Sequence, residues 1–231
     1  MGAMVTKQQV PAVIYAAQKL IVDGVRARLL GLLVNADDAL FELAARCTQD
    51  EDRKRCFDLA RLLRQQRSEL IGNFCRAMNR AARLWEIREF RVHGADQSWL
   101  DALRLSSHAR THFAPLLSSV ATNIGRLLEV QIHDPESLPF SPTCVGAAYI
   151  ESRGMVADIA PEAAPYLDSL FVRFVVDRLG SVYGEALTLL SAQAPFTLQA
   201  PFTPQAPFTP QASFTPQAPF TPQALPTLRS S

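Results

Sequence analysis

The chain has 231 residues, 48% of them hydrophobic, and a formal net charge of +1. So even a balance gives no global field to draw the protein to nucleic acid or a membrane surface, and the four cysteines, at 47, 56, 75 and 144, contain no CxxC pair that would suggest a zinc site. The last forty residues or so differ in composition from the rest, which leaves about 190 for folding, enough for one real core.

At the amino terminus, Lys7 and the apolar run 10–17 have the outline of a signal peptide. The run is short, Gln18 and Lys19 interrupt it at once, and Pro11 suits the first turn of a helix. No run approaches the roughly 18 to 20 apolar residues that span a bilayer. Cysteines at apolar helix positions read as reduced core residues, so a cytoplasmic protein without membrane contact is expected. Over residues 13–34, Ile14, Leu20, Ile21, Val25, Leu29, Leu32 and Leu33 keep helical spacing, with Lys19, Asp23, Arg26 and Arg28 outside. Asn35 or Asp37 then caps a short helix through Leu40, Phe41, Leu43 and Ala44. Asp37, Asp38 and Glu42 read as capping and a solvated face, because hard cations want more oxygen ligands than this helix end offers.

The chain is organised around the long helix expected over residues 50–85. Cys56, Ala60, Leu63, Leu70, Phe74, Ala77, Ala81 and Leu84 form one seam on which Arg67 is the only charge. Thr48 and Asp50 can cap its start, with Glu51 and Asp52 facing the positive end of the dipole. Between Arg53 and Arg91, eleven Lys or Arg residues stand against Asp58, Glu69, Glu86 and Glu89. Arg76, Arg80 and Arg83 share a face that could hold phosphates or an acidic partner. Arginines spread around a helix are more often its wet surface, and this face lacks an aromatic stacking platform.

Residues 93–96 read as a turn, with Asp96 or Ser98 capping a helix that carries Trp99, Leu100, Leu103 and Leu105. His108 and His112 follow one turn apart and are the weak metal candidates of the chain. Ala109 stands where HExxH would need its glutamate, and two partly exposed histidines are the plainer reading. Pro115 kinks this helix or marks the start of the next, which carries Leu116, Leu117, Val120, Ile124, Leu127 and Leu128. Residues 134–142 read as a proline-punctuated linker ending in a Ser141 cap and Pro142 at the first helical position. A helix over 142–152, a connector with Pro161 and Pro165, and a single last helix over 163–190 complete the fold. That last helix keeps Asp168, Arg173, Asp177, Arg178 and Glu185 outside, and its Gly180 and Gly184 suit close packing.

Five stretches together carry a resemblance. NADDALFELA at 35–44, DLARLLRQQR at 58–67, HARTHFAPLLSSVATNIGRLL at 108–128, LPFSP at 138–142 and LDSLFVRFVVDRLGSVYGEALTLL at 167–190 look like the amino-terminal part of a bacterial family called domain of unknown function sixteen thirty-one. The resemblance covers residues 24–190. It implies a longer parent protein and no established catalytic residues. Members are often labelled thymidine phosphorylase. A phosphorylase must bind phosphate, and the chain has neither a Gly-rich phosphate loop nor the alternation of strand and helix that would place one.

After 190 a repeat takes over, with Phe196, Phe202, Phe208, Phe214 and Phe220 recurring within APFTPQ units. A charge-free stretch so rich in proline is expected to be disordered or polyproline-like. The reading is therefore an all-α, extended multi-helix bundle of six or seven helices at 8–191, grouped as 8–85, 98–133 and 142–190, with a disordered tail at 192–231. No catalytic signature, metal site or cofactor is expected. The leading function is a non-enzymatic scaffold or regulatory domain that binds a protein partner. The alternative is a binder of nucleic acid or nucleotide phosphate through Arg76, Arg80 and Arg83.

Overall fold

A computed structural model describes residues 11–86, 97–156 and 159–193, and among them there is no strand. Eight α-helices follow one another: α1 Ala12–Val34, α2 Ala36–Arg46, α3 Asp50–Glu86, α4 Gln97–His112, α5 Ala114–Leu127, α6 Pro142–Gly154, α7 Ala164–Phe174 and α8 Leu179–Gln193. The turn expected at 93–96 and the repeat tail lie outside the described residues.

The expected seam of α3 is the spine of the core. Cys56, Leu59, Ala60, Leu63, Leu70, Phe74, Ala77 and Met78 are buried along it, with Ala81 and Leu84 half-buried where it ends. At 37 residues α3 is about 55 Å long, and it packs against α1, α2 and α6 in turn. Its wet side is laced by Arg53–Asp50 at 2.7 Å, Arg55–Asp52 at 2.6 Å and Arg61–Asp58 at 3.3 Å. Each such pair adds only a few tenths of a kcal/mol, so burial of the seam holds the helix.

Several local expectations are corrected. Asn35 sits at the start of α2 but its amide donates back to the Gly31 carbonyl at 2.7 Å and makes no side-chain cap. Asp37 instead accepts from Arg64 Nε at 2.7 Å and ties α2 to α3. Arg28, expected outside, crosses to α8. Its guanidinium donates to the Arg178 carbonyl at 3.1 Å and to Ser181 Oγ at 2.6 Å. The expected last helix is not continuous. A 3-10 turn at Val176–Arg178 divides it into α7 and α8, with Val175 and Val176 fully buried at the joint, and the Arg178 carbonyl at the start of α8 accepts from both Arg28 and Ser181 Oγ.

The leucines of α4 do not form its buried face. Ala102, Ser106 and Ala109 do, because α4 approaches α6 closely at Gly146, where an added Cβ would stand 3.2 Å from the Ala102 carbonyl oxygen. The segment read as a linker is part of the core: Leu138 and Phe140 are buried, and the Phe140 carbonyl accepts from the Tyr183 hydroxyl at 2.8 Å. Pro115 does mark a new helix, Ser141 caps α6 through the Cys144 amide, and Gly180 lets Phe113 lie against α8.

Burial pushes the Cys144 thiol up to about 12 and that of Cys56 up to about 11, from an ordinary value of 9.0. Burial also holds the Tyr149 and Tyr183 hydroxyls well above 10.0. Each folded-state value exceeds the unfolded one, so from pH 9 upward the unfolded chain releases protons that the folded chain keeps, and stability falls as pH rises. The denaturant midpoint is expected to be level between pH 7 and 8 and to decline steadily above about pH 9. Cys144→Ala should make that decline shallower, and an identical slope would contradict the burial of its thiol.

Candidate functional site

Between α1 and α3 lies a cavity of about 850 Å³, open along one side. From α1 it is lined by Tyr15, Gln18, Lys19, Val22, Asp23 and Arg26, a regular stripe three and four residues apart, and α3 answers with Ser68, Ile71, Gly72, Cys75, Asn79, Ala82 and Arg83. The two helices run antiparallel, since Asp37 just beyond α1 meets Arg64 while Cys75 lies in the field of Arg26 and Asp23. Arg83 therefore belongs to the end of the groove near Tyr15 and Gln18, and Arg26 to the end near Gly72.

Three observations define its chemistry. Gln18 is only 4% exposed, and its Nε2 is a buried donor without a hydrogen-bond partner among the described residues. Lys19 is neutralised by Asp23 at 2.6 Å, whereas Arg26 and Arg83 have no ion-pair partner among the described residues. Burial pushes the Cys75 thiol above its ordinary value, with Arg26 opposing the shift and Asp23 adding to it. The groove thus offers hydrogen-bond donors and an excess of positive charge over apolar walls from Val22, Ile71 and Ala82.

The three arginines singled out in the sequence are divided. Arg76 donates to the Asn73 side chain, Arg80 pairs with Glu151 of α6, and Arg83 lines the groove. His108 and His112 stack at 5.5 Å with nearly parallel rings, an arrangement that does not converge both on one ion. His108 Nδ1 stands 3.6 Å from Asp177, a carboxylate brought in by the turn between α7 and α8. Among the described residues no group of three or more His, Cys, Asp or Glu side chains could hold a metal. Gln18, Arg26 and Gly72 were not singled out by sequence. The available signal was the polar stripe of α1, which reads as solvated surface until α3 is laid beside it.

A second surface feature lies on α2 and α3. Phe41 and Phe57 are 65% and 46% exposed, and their rings meet at 6.1 Å and 54°. No helix among the described residues is long and apolar enough to cross a membrane.

Residues 9–86 match the family model described as Protein of unknown function (DUF1631) N-terminal domain. The resemblance expected over 24–190 is thus shown for its amino-terminal part, from α1 through α3, and both walls of the groove and the Phe41–Phe57 pair lie inside the matched segment. No curated protein and no solved structure matches the chain.

Proposed function

We propose that the chain is a non-enzymatic scaffold or regulatory domain which docks a partner protein on the face shared by α2 and α3. The observation that carries this is the Phe41–Phe57 pair, two large apolar rings held against each other in solvent. Aromatic side chains with few rotatable bonds are enriched at the centres of protein interfaces and supply much of their binding energy. The partner on this reading presents an apolar face of its own. Four unpaired cysteines support placing the interaction in the reducing cytoplasm.

Phe41→Ser with Phe57→Ser is expected to leave the melting temperature of the chain within about 2 °C of the parent, because both rings are already exposed. The same double variant should lose a protein partner that the parent retains through nuclease treatment and high salt in affinity co-purification from its own cell extract. Equal retention by both proteins would remove this face from consideration. Retention of nucleic acid that washes off steeply with salt would instead favour the reading through Arg76, Arg80 and Arg83, since released counterions produce that slope.

A further inference from the structure

We infer that the groove between α1 and α3 is a binding site for an elongated organic dianion, with Arg83 and Gln18 holding one acidic group and Arg26 the other. This stands apart from the docking reading above, which concerns a different face.

Gln18 carries an amide unpartnered among the described residues. A buried donor left without an acceptor costs stability, and buried polar groups in folded proteins are satisfied with few exceptions. Gln18 is buried in the wall of an open groove, where an incoming carboxylate or phosphate oxygen supplies the acceptor that the described residues do not. If the amide is turned over, the unpartnered atom becomes its oxygen, and Gln18→Leu removes either end.

Lys19 and Asp23 cancel at the middle of the groove, which leaves two guanidinium groups without an ion-pair partner among the described residues, one toward each end. Gln18 and Arg26 are eight residues apart on α1, about 12 Å along the axis. Guanidinium forks suit carboxylate and phosphate oxygens, and Val22 and Cys75, which lie between them, suit an apolar middle. One compact anion could not reach both.

Glycine inside a helix weakens it, and at Gly72 an added Cβ would meet nothing closer than Arg76 Nη1 at 3.6 Å, so no packing contact forbids a side chain. What its absence leaves is space in the wall of the groove.

The test is calorimetric titration of the full chain with dodecanedioate, with 1,12-dodecanediol bisphosphate, and with the shorter hexanedioate. At least one of the long dianions should bind saturably and hexanedioate at least tenfold more weakly; which long probe binds tells a carboxylate site from a phosphate site. Arg83→Ala, Arg26→Ala and Gly72→Met should each weaken that binding tenfold or more. The arginine changes are at exposed side chains and should leave melting unaltered. Gln18→Leu should also weaken binding while keeping or raising the melting temperature, since it removes a polar group that has no partner. A loss of melting temperature in Gln18→Leu would show that the amide serves the fold and would overturn the inference. So would the absence of saturable binding by either long probe, equal binding of hexanedioate, or binding indifferent to all four substitutions.

Discussion

Replacing Leu70 and Phe74 together by alanine is expected to abolish the folded domain. Both side chains are buried, at 1% and 0% exposure, one turn apart on the seam of α3. Truncating a buried leucine costs roughly 2 to 5 kcal/mol and a phenylalanine roughly 3 to 5, including the cavity left behind. Because the two cavities adjoin, the sum is not strictly additive. Even a discounted total rivals the whole stability of an ordinary domain, about 5 to 15 kcal/mol. Far- and near-ultraviolet circular dichroism should show the near-ultraviolet signal lost and no cooperative melting. A double variant with the parental transition would refute the packing of α3 described above. Arg61→Ala, on the solvent side of the same helix, should change stability by less than about 0.5 kcal/mol.

The seam itself was legible in the sequence, because a three-four apolar repeat that spans residues 56–84 with only Arg67 interrupting it has only one way to be buried. Local terminators were legible for the same reason: Pro115 and the Ser141–Pro142 pair act through groups within a few residues of themselves. Apart from the Asn35 cap, lost to the Gly31 carbonyl one turn back, what failed depends on a distant neighbour. Leu138 and Phe140 read as linker because prolines flank them, yet Tyr183, more than forty residues on, supplies the bond that draws the segment inward. Arg28 carried the pattern of a solvated charge, and only the start of α8, some 150 residues away in sequence, gives it a carbonyl and a hydroxyl to hold. In α4 the hydrophobic pattern pointed to leucines, whereas the close approach at Gly146 selects small side chains. The groove falls in the same class. Each of its walls looks like ordinary helix surface, and its chemistry exists only where α1 and α3 face each other.

These distant contacts also bear on the matched segment. Residues 9–86 hold α1, α2 and α3, but α1 packs along α8 and α3 along α6, so the segment does not close its own core. Arg80, at the end of that segment, reaches Glu151 of α6 across the same boundary. The later helices are therefore required for the first three to hide their apolar faces, whichever ligand or partner those helices present a surface to.

Asp168 is where that dependence can be measured most sharply. It was expected on the wet side of the last helix, as one of five charges there, but its carboxylate turns toward α6. Oδ1 accepts from the Tyr149 hydroxyl at 2.8 Å and from the Arg153 guanidinium. Tyr149 is fully buried and stacks on Phe171 at 3.8 Å with the rings 10° from parallel, and the side chains of Arg153 and Asp168 are only 18% and 23% exposed. Asp168→Ala would strand a buried hydroxyl and a largely buried guanidinium at once, and the loss of an acceptor shared by two such donors should cost roughly 3 kcal/mol. Asp168→Asn keeps an acceptor for Tyr149 while losing the charge that Arg153 faces, so its cost should be nearer to about 1 or 2 kcal/mol. Adding Arg153→Met to Asp168→Ala removes the stranded charge and should recover part of the loss, giving a coupling of roughly 1 to 2 kcal/mol in urea denaturation. Strict additivity of the two changes would mean that the ion pair contributes nothing to joining α6 and α7. A cost below about 0.5 kcal/mol for Asp168→Ala alone would place this carboxylate back in solvent, as an isolated surface charge on an amphipathic helix.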